Sequence, residues 1–234
     1  MKRSSGSMAL ALALVGNPPA QTGPDVDPAV IARAGKLLES HAEKSKKVQV
    51  LVSTYVQRRT TELSKEPLVS RGEFLFVREP ACVVFRATTP RESVVRLRGA
   101  TYEVYRPQRK QLERFHLEGP ELAEALFAAI GGDLEVLRRN FAIQDCVEDP
   151  VAGRTSIRLA PRTALVKDRL RQLIITVRST DGVLCAVAYR DGAGDLVGIE
   201  LQDPRQNPKD APSAELEVGK DTTIVEHAPP KKQG

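Results

Sequence analysis

Residues 72–117 read GEFLFVREPACVVFRATTPRESVVRLRGATYEVYRPQRKQLERFHL. Apolar and polar residues mostly alternate in short runs, and Pro80, Pro90, Gly99 and Pro107 interrupt them. Short strands at roughly ten-residue spacing with turn signals between them describe an antiparallel meander. Ser93–Arg98 alternates cleanly, with Val95 and Leu97 on one face and Val94, Arg96 and Arg98 on the other. Gly72–Arg78 does not alternate: Phe74 and Phe76 fall on one face, Leu75 and Val77 on the other. A strand apolar on both sides must be covered on both, by a helix, a cavity or a further layer.

The pattern extends in both directions. Upstream, Val48, Val50, Val52, Thr54 and Val56 share one face of a first strand. Before it, Asp27-Pro28 starts a helix whose apolar stripe is Val30, Ile31, Ala34, Leu37 and Leu38; the polar run His41–Lys47 is expected to end it. Downstream, Gly119-Pro120 opens the helix ELAEALFAAIGG, with Leu122, Leu126 and Ile130 as its stripe and Gly131-Gly132 as its stop. Asp133 caps a second short helix to Asn140. Strand patterns return at 141–147, 155–160, 173–177, 183–189 and 197–201, and Asp181-Gly182 is a hairpin signal. The tail beyond Thr223 is rich in Pro and Lys and is expected to be disordered, at the latest from residue 226.

Composition narrows the classes. The chain has 234 residues, 41% of them apolar, but only 4% are aromatic and there is no Trp. One domain over 28–225 is the natural unit, and any apolar cavity in it must be lined mainly by Val, Leu, Ile and Ala. Lys2 and Arg3, the apolar run Met8–Val15 and the small-residue exit to Ala20 have the form of a secretory signal peptide over 1–20, with 21–27 as a linker. The run is too short to span a bilayer, which takes about 20 apolar residues. No Cys follows it for lipid attachment, so a soluble periplasmic protein is expected. The net charge of +5 would fall to +3 on cleavage, because Lys2 and Arg3 are removed.

Motifs for chemistry are missing. There is no HExxH, GxSxG or P-loop. Asp191–Gly198 (DGAGDLVG) resembles a dinucleotide fingerprint only loosely and precedes a strand, so a hairpin turn is expected there. His41, His116 and His227 are scattered, and Cys82, Cys146 and Cys185 form no CxxC pair. The cysteines read as small buried hydrophobes, with one disulfide at most. The densest basic cluster, Arg106–Arg114, lies on a turn and strand, so nucleic acid is not an expected partner. An enzyme is not expected either.

The ordered series GEFLFVREP, ACVVFRA, TPRES, VVRLRG and ATYEVYRP, after an N-terminal helix and before two helices and a second set of strands, resembles the LolA-like periplasmic lipoprotein carriers. The resemblance covers about 29–225. It implies an α+β, mainly β fold: an incomplete antiparallel half-barrel of about 10–11 strands, with an N-terminal helix and two short helices covering an apolar cavity. It also implies a monomeric carrier without a cofactor. Such a carrier takes acylated lipoprotein cargo from an inner-membrane releasing transporter to an outer-membrane acceptor.

Strand alternation and the family pattern together give the expected cavity lining. Val83, Phe85, Val95, Leu97, Tyr102 and Val104 would come from the sheet, and Leu122, Leu126 and Ile130 from the lid helix. Ordinary core packing is the alternative for each. Family members place a basic lid-latching residue directly before the strand-ending Pro; here Glu79 stands there and Arg78 precedes it, so Arg78 is the candidate latch. The competing functions are carriage of another lipid or hydrophobic metabolite on the same fold, and a periplasmic sensor of lipid or lipoprotein.

Overall fold

The computed structural model describes residues 27–61, 64, 66–117 and 121–227. The expected signal peptide 1–20 and residues 228–234 lie outside the described residues.

Helix α1 (Pro28–Ser45) leads into strands β1 (Val50–Thr60), β2 (Leu68–Val77), β3 (Cys82–Thr89), β4 (Ser93–Arg98), β5 (Thr101–Arg106) and β6 (Gln111–His116). Helices α2 (Glu121–Gly131) and α3 (Leu134–Asn140) follow, then β7 (Phe141–Asp149) and β8 (Arg154–Pro161). Helix α4 (Ala164–Arg169) and strands β9 (Leu170–Arg178), β10 (Leu184–Asp191), β11 (Leu196–Gln206) and β12 (Thr223–His227) complete the chain. All twelve strands form one open sheet in the order β12-β6-β5-β4-β3-β2-β1-β11-β10-β9-β8-β7. It is antiparallel except for β12, which runs parallel to β6.

The two meanders are joined through β1 and β11, which pair Tyr55 with Leu201 and Gln57 with Ile199. Register then fixes the faces, because directly paired residues point the same way. Leu51, Phe76, Val83, Leu97 and Tyr102 form one row across β1–β5. Val197 and Ile199 align with Tyr189 and Val187, and these with Leu173 and Ile175. This inner face is the floor of the main core, under α1, α2, α3 and α4.

Three elements differ from the sequence expectation. Helix α1 ends at Ser45, inside the polar run expected to end it, but its buried face is Ala34, Leu38, His41, Ala42 and Ser45, and Ile31 of the expected stripe is exposed. The polar run continues the inward stripe with groups that bond inside the protein. Helix α4 was not expected, although Thr163 caps it by accepting from Val166 N at 3.3 Å. Residues 223–227 of the expected disordered tail are strand β12 and give the sheet its twelfth member.

The outer face carries a small second core of Val52, Leu75, Cys82 and Val84. Residues 207–222 cross it as a strap from β11 to β12, laying Ala211 and Ala214 on that core. Asn207 anchors the start: its side-chain oxygen accepts from Gln49 N and Val50 N, and its amide donates to Lys47 O at 2.8 Å. The middle is held by arginines of the sheet. Arg86 donates to Ser213 O, and Arg96 and Arg98 bond Glu215 at 2.8 and 2.7 Å. Beneath lies Glu103, only 3% exposed, which accepts from Arg96 at 2.6 Å and Arg114 at 3.0 Å. All three cysteines are free.

Candidate functional site

The inner face encloses an apolar cavity of about 30 Å³. Phe74, Val83, Phe85 and Leu97 form one wall, Val187, Ile199 and Leu201 the other, and Leu126 and Ile130 of α2 the roof. Strands β2–β4 and β10–β11 meet around one cavity because the sheet curls. The phenols give a second sign of the curl. Tyr189 on β10 is pushed up to about 12, first by burial and then by the neighbouring Tyr102 of β5. Burial raises Tyr102 as well. Phe85 packs edge-on to Tyr55 at 5.1 Å and tilted to Phe74 at 5.2 Å, which stiffens the floor.

Of the residues expected to line a cavity, Val83, Phe85, Leu97, Leu126 and Ile130 do so. Val95, Tyr102 and Val104 share the same face by register but stand beside the cavity, in line with Phe85, Leu97 and Val95 respectively. The Leu122 side chain lies outside the described residues. Phe74, Val187, Ile199 and Leu201 were missed. Phe74 follows from the alternation of β2; the other three needed the knowledge that β10 and β11 fold over against β2–β4.

The roof is fastened at its C-terminal end. Arg78, one residue past β2, continues the inward row of Phe74 and Phe76, whereas Glu79 is exposed. Its guanidinium donates to Gly131 O of α2 at 2.9 Å, to Ser45 O at 2.6 Å and to Val48 O at 2.8 Å. It also sits over the Phe76 ring, 5.9 Å from the centroid. One cation thus ties α2, the end of α1 and the approach to β1 together. A fully charged donor suits this, since carbonyls at helix ends lack intrahelical partners and carry partial negative charge.

His41 makes the second tie, which the sequence did not disclose. It is 1% exposed; Nε2 donates to Ala129 O at 2.8 Å, and Nδ1 lies 3.3 Å from Ser45 Oγ. Burial holds its pKa below the usual imidazole value. Gly132 completes the joint with φ +71°, where a Cβ would come within 2.9 Å of Ala42 Cα. These contacts gather at the last residues of α2, whose body lies over the cavity and also packs against α4.

At the turn end of β1 and β11 the inner face becomes polar. Arg59 donates from Nε and Nη2 to Asp195 at 2.9 and 2.6 Å. Among the described residues the cavity lining is wholly apolar, without acid–base or nucleophilic groups.

No protein-family model matches the chain, and no curated protein does. Solved structures do. An uncharacterized conserved protein from Thermus thermophilus is 11% identical with a TM-score of 0.47, over 83% of this chain and 99% of that one. Lipoprotein LppX of Mycobacterium tuberculosis is 14% identical with a TM-score of 0.44, over 83% of this chain and 100% of the other. A LolA superfamily protein from Nitrosomonas europaea is 12% identical with a TM-score of 0.38, over 76% and 94%. With every one of these scores under 0.5, what this chain binds has to be read from its own residues.

Proposed function

We propose that this chain is a periplasmic carrier that shields the acyl chains of lipoproteins. It would take them up from an inner-membrane releasing transporter and pass them to an outer-membrane acceptor. The observation that supports this reading is the apolar chamber roofed by a helix whose ties are concentrated at one end. Each CH₂ removed from water contributes about 0.8 kcal/mol, so an acyl chain gains strongly from such a chamber. At about 30 Å³ the chamber has space for only two or three waters, since one water needs about 10–15 Å³. Cargo therefore enters by displacing α2, and the apolar contacts that α2 gives up offset part of the gain. That offset keeps binding reversible, as a carrier requires. Placement in the periplasm rests on the export-type segment at 1–20. No helix among the described residues is long and apolar enough to cross a membrane.

The test is native mass spectrometry of the mature chain purified from its host's periplasm, with extraction of whatever accompanies it. An acylated protein is expected, released by detergent and lost in Val83→Glu and Leu97→Glu. A free lipid in its place would change the cargo and keep the chamber. A chain that arrives empty and takes up no fluorescent acyl probe would overturn the reading.

A further inference from the structure

The connection between β8 and β9 contains a short helix. Residues 161–170 read PRTALVKDRL and fold around α4. Val166 and Leu170 are buried in the core, 3% and 0% exposed, and fix the segment to the sheet. Leu165 points away and is 62% exposed. Around it Lys167 and Arg171 are exposed beside one exposed acid, Asp168, while exposed Arg162 donates to the carbonyls of Arg138 and Phe141. Leu68, also 62% exposed, starts β2 at the same end of the strands, where the β3–β4 turn adds exposed Arg91 and Glu92 and exposed Glu66 precedes Leu68. At the opposite end Lys46 pairs with Glu43, Arg178 with Asp181 and Arg205 with Asp210, and Lys47 and Lys209 are exposed cations as well.

The lid connects this surface to the chamber. Helix α2 is tied down at Ala129 and Gly131, and it packs on α4 as well as on α1 and α3. A lid pivoting about its tied end opens the chamber away from Arg78, toward the flank that α4 borders. We propose that the α4 connection is a docking surface for an anionic lipid bilayer, with Leu165 as the apolar tip and Lys167 and Arg171 as the charges that meet lipid phosphates. An exposed leucine among cations supplies the two signals, apolar insertion and electrostatic attraction, that surface binding to a membrane needs. Docking would place the opening flank of the lid against the source or destination of an acyl chain. The proposal takes its purpose from the carrier reading, but its test is independent of cargo.

Sedimentation of the full chain is measured with vesicles of phosphatidylglycerol and phosphatidylcholine, and with vesicles of phosphatidylcholine alone. Binding is expected to the anionic vesicles only, and to weaken as salt is raised. A basic residue near an anionic surface is worth about a fivefold gain in partitioning, so Lys167→Glu/Arg171→Glu should lose at least about tenfold. Leu165→Asn, at an exposed position with little effect on folding, should lose several-fold. Lys47→Glu/Lys209→Glu, away from α4, should bind as the wild type does. Circular dichroism and uptake of a soluble acyl probe by all variants show that the fold and the chamber persist. Failure to bind anionic vesicles overturns the proposal and leaves an acidic protein as the partner for this surface. Equal binding to both vesicle types, or equal losses in the two double variants, overturns it as well. None of these failures touches the carrier reading as long as the probe is still taken up.

Discussion

The two faces of this one sheet are covered in opposite ways. On the inner face, Phe74, Phe76, Val83 and Leu97 meet the roof helix α2 through apolar contact; hydrogen bonds to Ala129 and Gly131 hold its C-terminal end, and an exposed ion pair at 3.9 Å joins Glu124 to Arg139 of α3. On the outer face, Leu75, Val84 and Cys82 meet the strap 207–222, held along its length by Asn207, Arg86, Arg96 and Arg98. Apolar contact is non-directional, so another apolar body of suitable shape can replace it. A strap held by geometry-specific charged bonds has no such substitute. The lid face is built for exchange and the strap face for permanence.

Four measurements test this contrast, in descending order of expected effect. Glu103→Gln should cost the most, about 3 kcal/mol in chemical denaturation, because it leaves the Arg96 and Arg114 guanidiniums short of their shared buried carboxylate. Its uptake of an acyl probe should be unchanged in the folded protein. Loss of uptake with little loss of stability would reverse the roles assigned to the two faces.

Arg78→Met comes next. It leaves the carbonyls of Ser45, Val48 and Gly131 without their donor and should cost about 2 kcal/mol. It should also speed probe exchange, read by stopped-flow fluorescence. Unaltered exchange would mean that the lid is not held there.

Val187→Phe puts a ring into the 30 Å³ chamber. Overpacking should cost about 1–2 kcal/mol and weaken probe binding at equilibrium. Unchanged binding would show that cargo sits elsewhere.

The smallest effect is one of pH. His41 is held neutral by burial, with its pKa below the ordinary 6.5. The unfolded chain then takes up a proton at a higher pH than the folded one. Its contribution is present above the unfolded value and is lost as pH falls below that value toward the lower folded one. Melting at pH 7.5 and 5.5 should show this loss in the wild type and less of it in His41→Gln. Equal slopes would place the sensitivity in another group.

How much of this was legible depends on which neighbours were needed. The doubled apolar pattern of Phe74, Leu75, Phe76 and Val77 stated that β2 is covered twice, and both covers exist. The strap itself was not legible: its contacts are alanines and carboxylates whose partners lie over a hundred residues away. Strand β12 had a short β-branched signal in Thr223–Val225, obscured by the Pro- and Lys-rich end that follows. His41 reads as part of a helix end because polarity alone does not distinguish a solvated side chain from a buried donor.

The sequence by itself determined the meanders, the capped helices at Asp27 and Asp133, and which residues of β2–β5 share a face. These follow from periods of two and 3.6, proline and glycine stops, and local capping, all of which act within a few residues. Only the tertiary structure decided that β1 and β11 join the meanders and that β10 curls over β4 to enclose a chamber. It alone set Arg78 and His41 at the end of the lid and Glu103 between two arginines. Those outcomes depend on sheet curvature and on partners distant along the chain, and a local pattern carries no record of either.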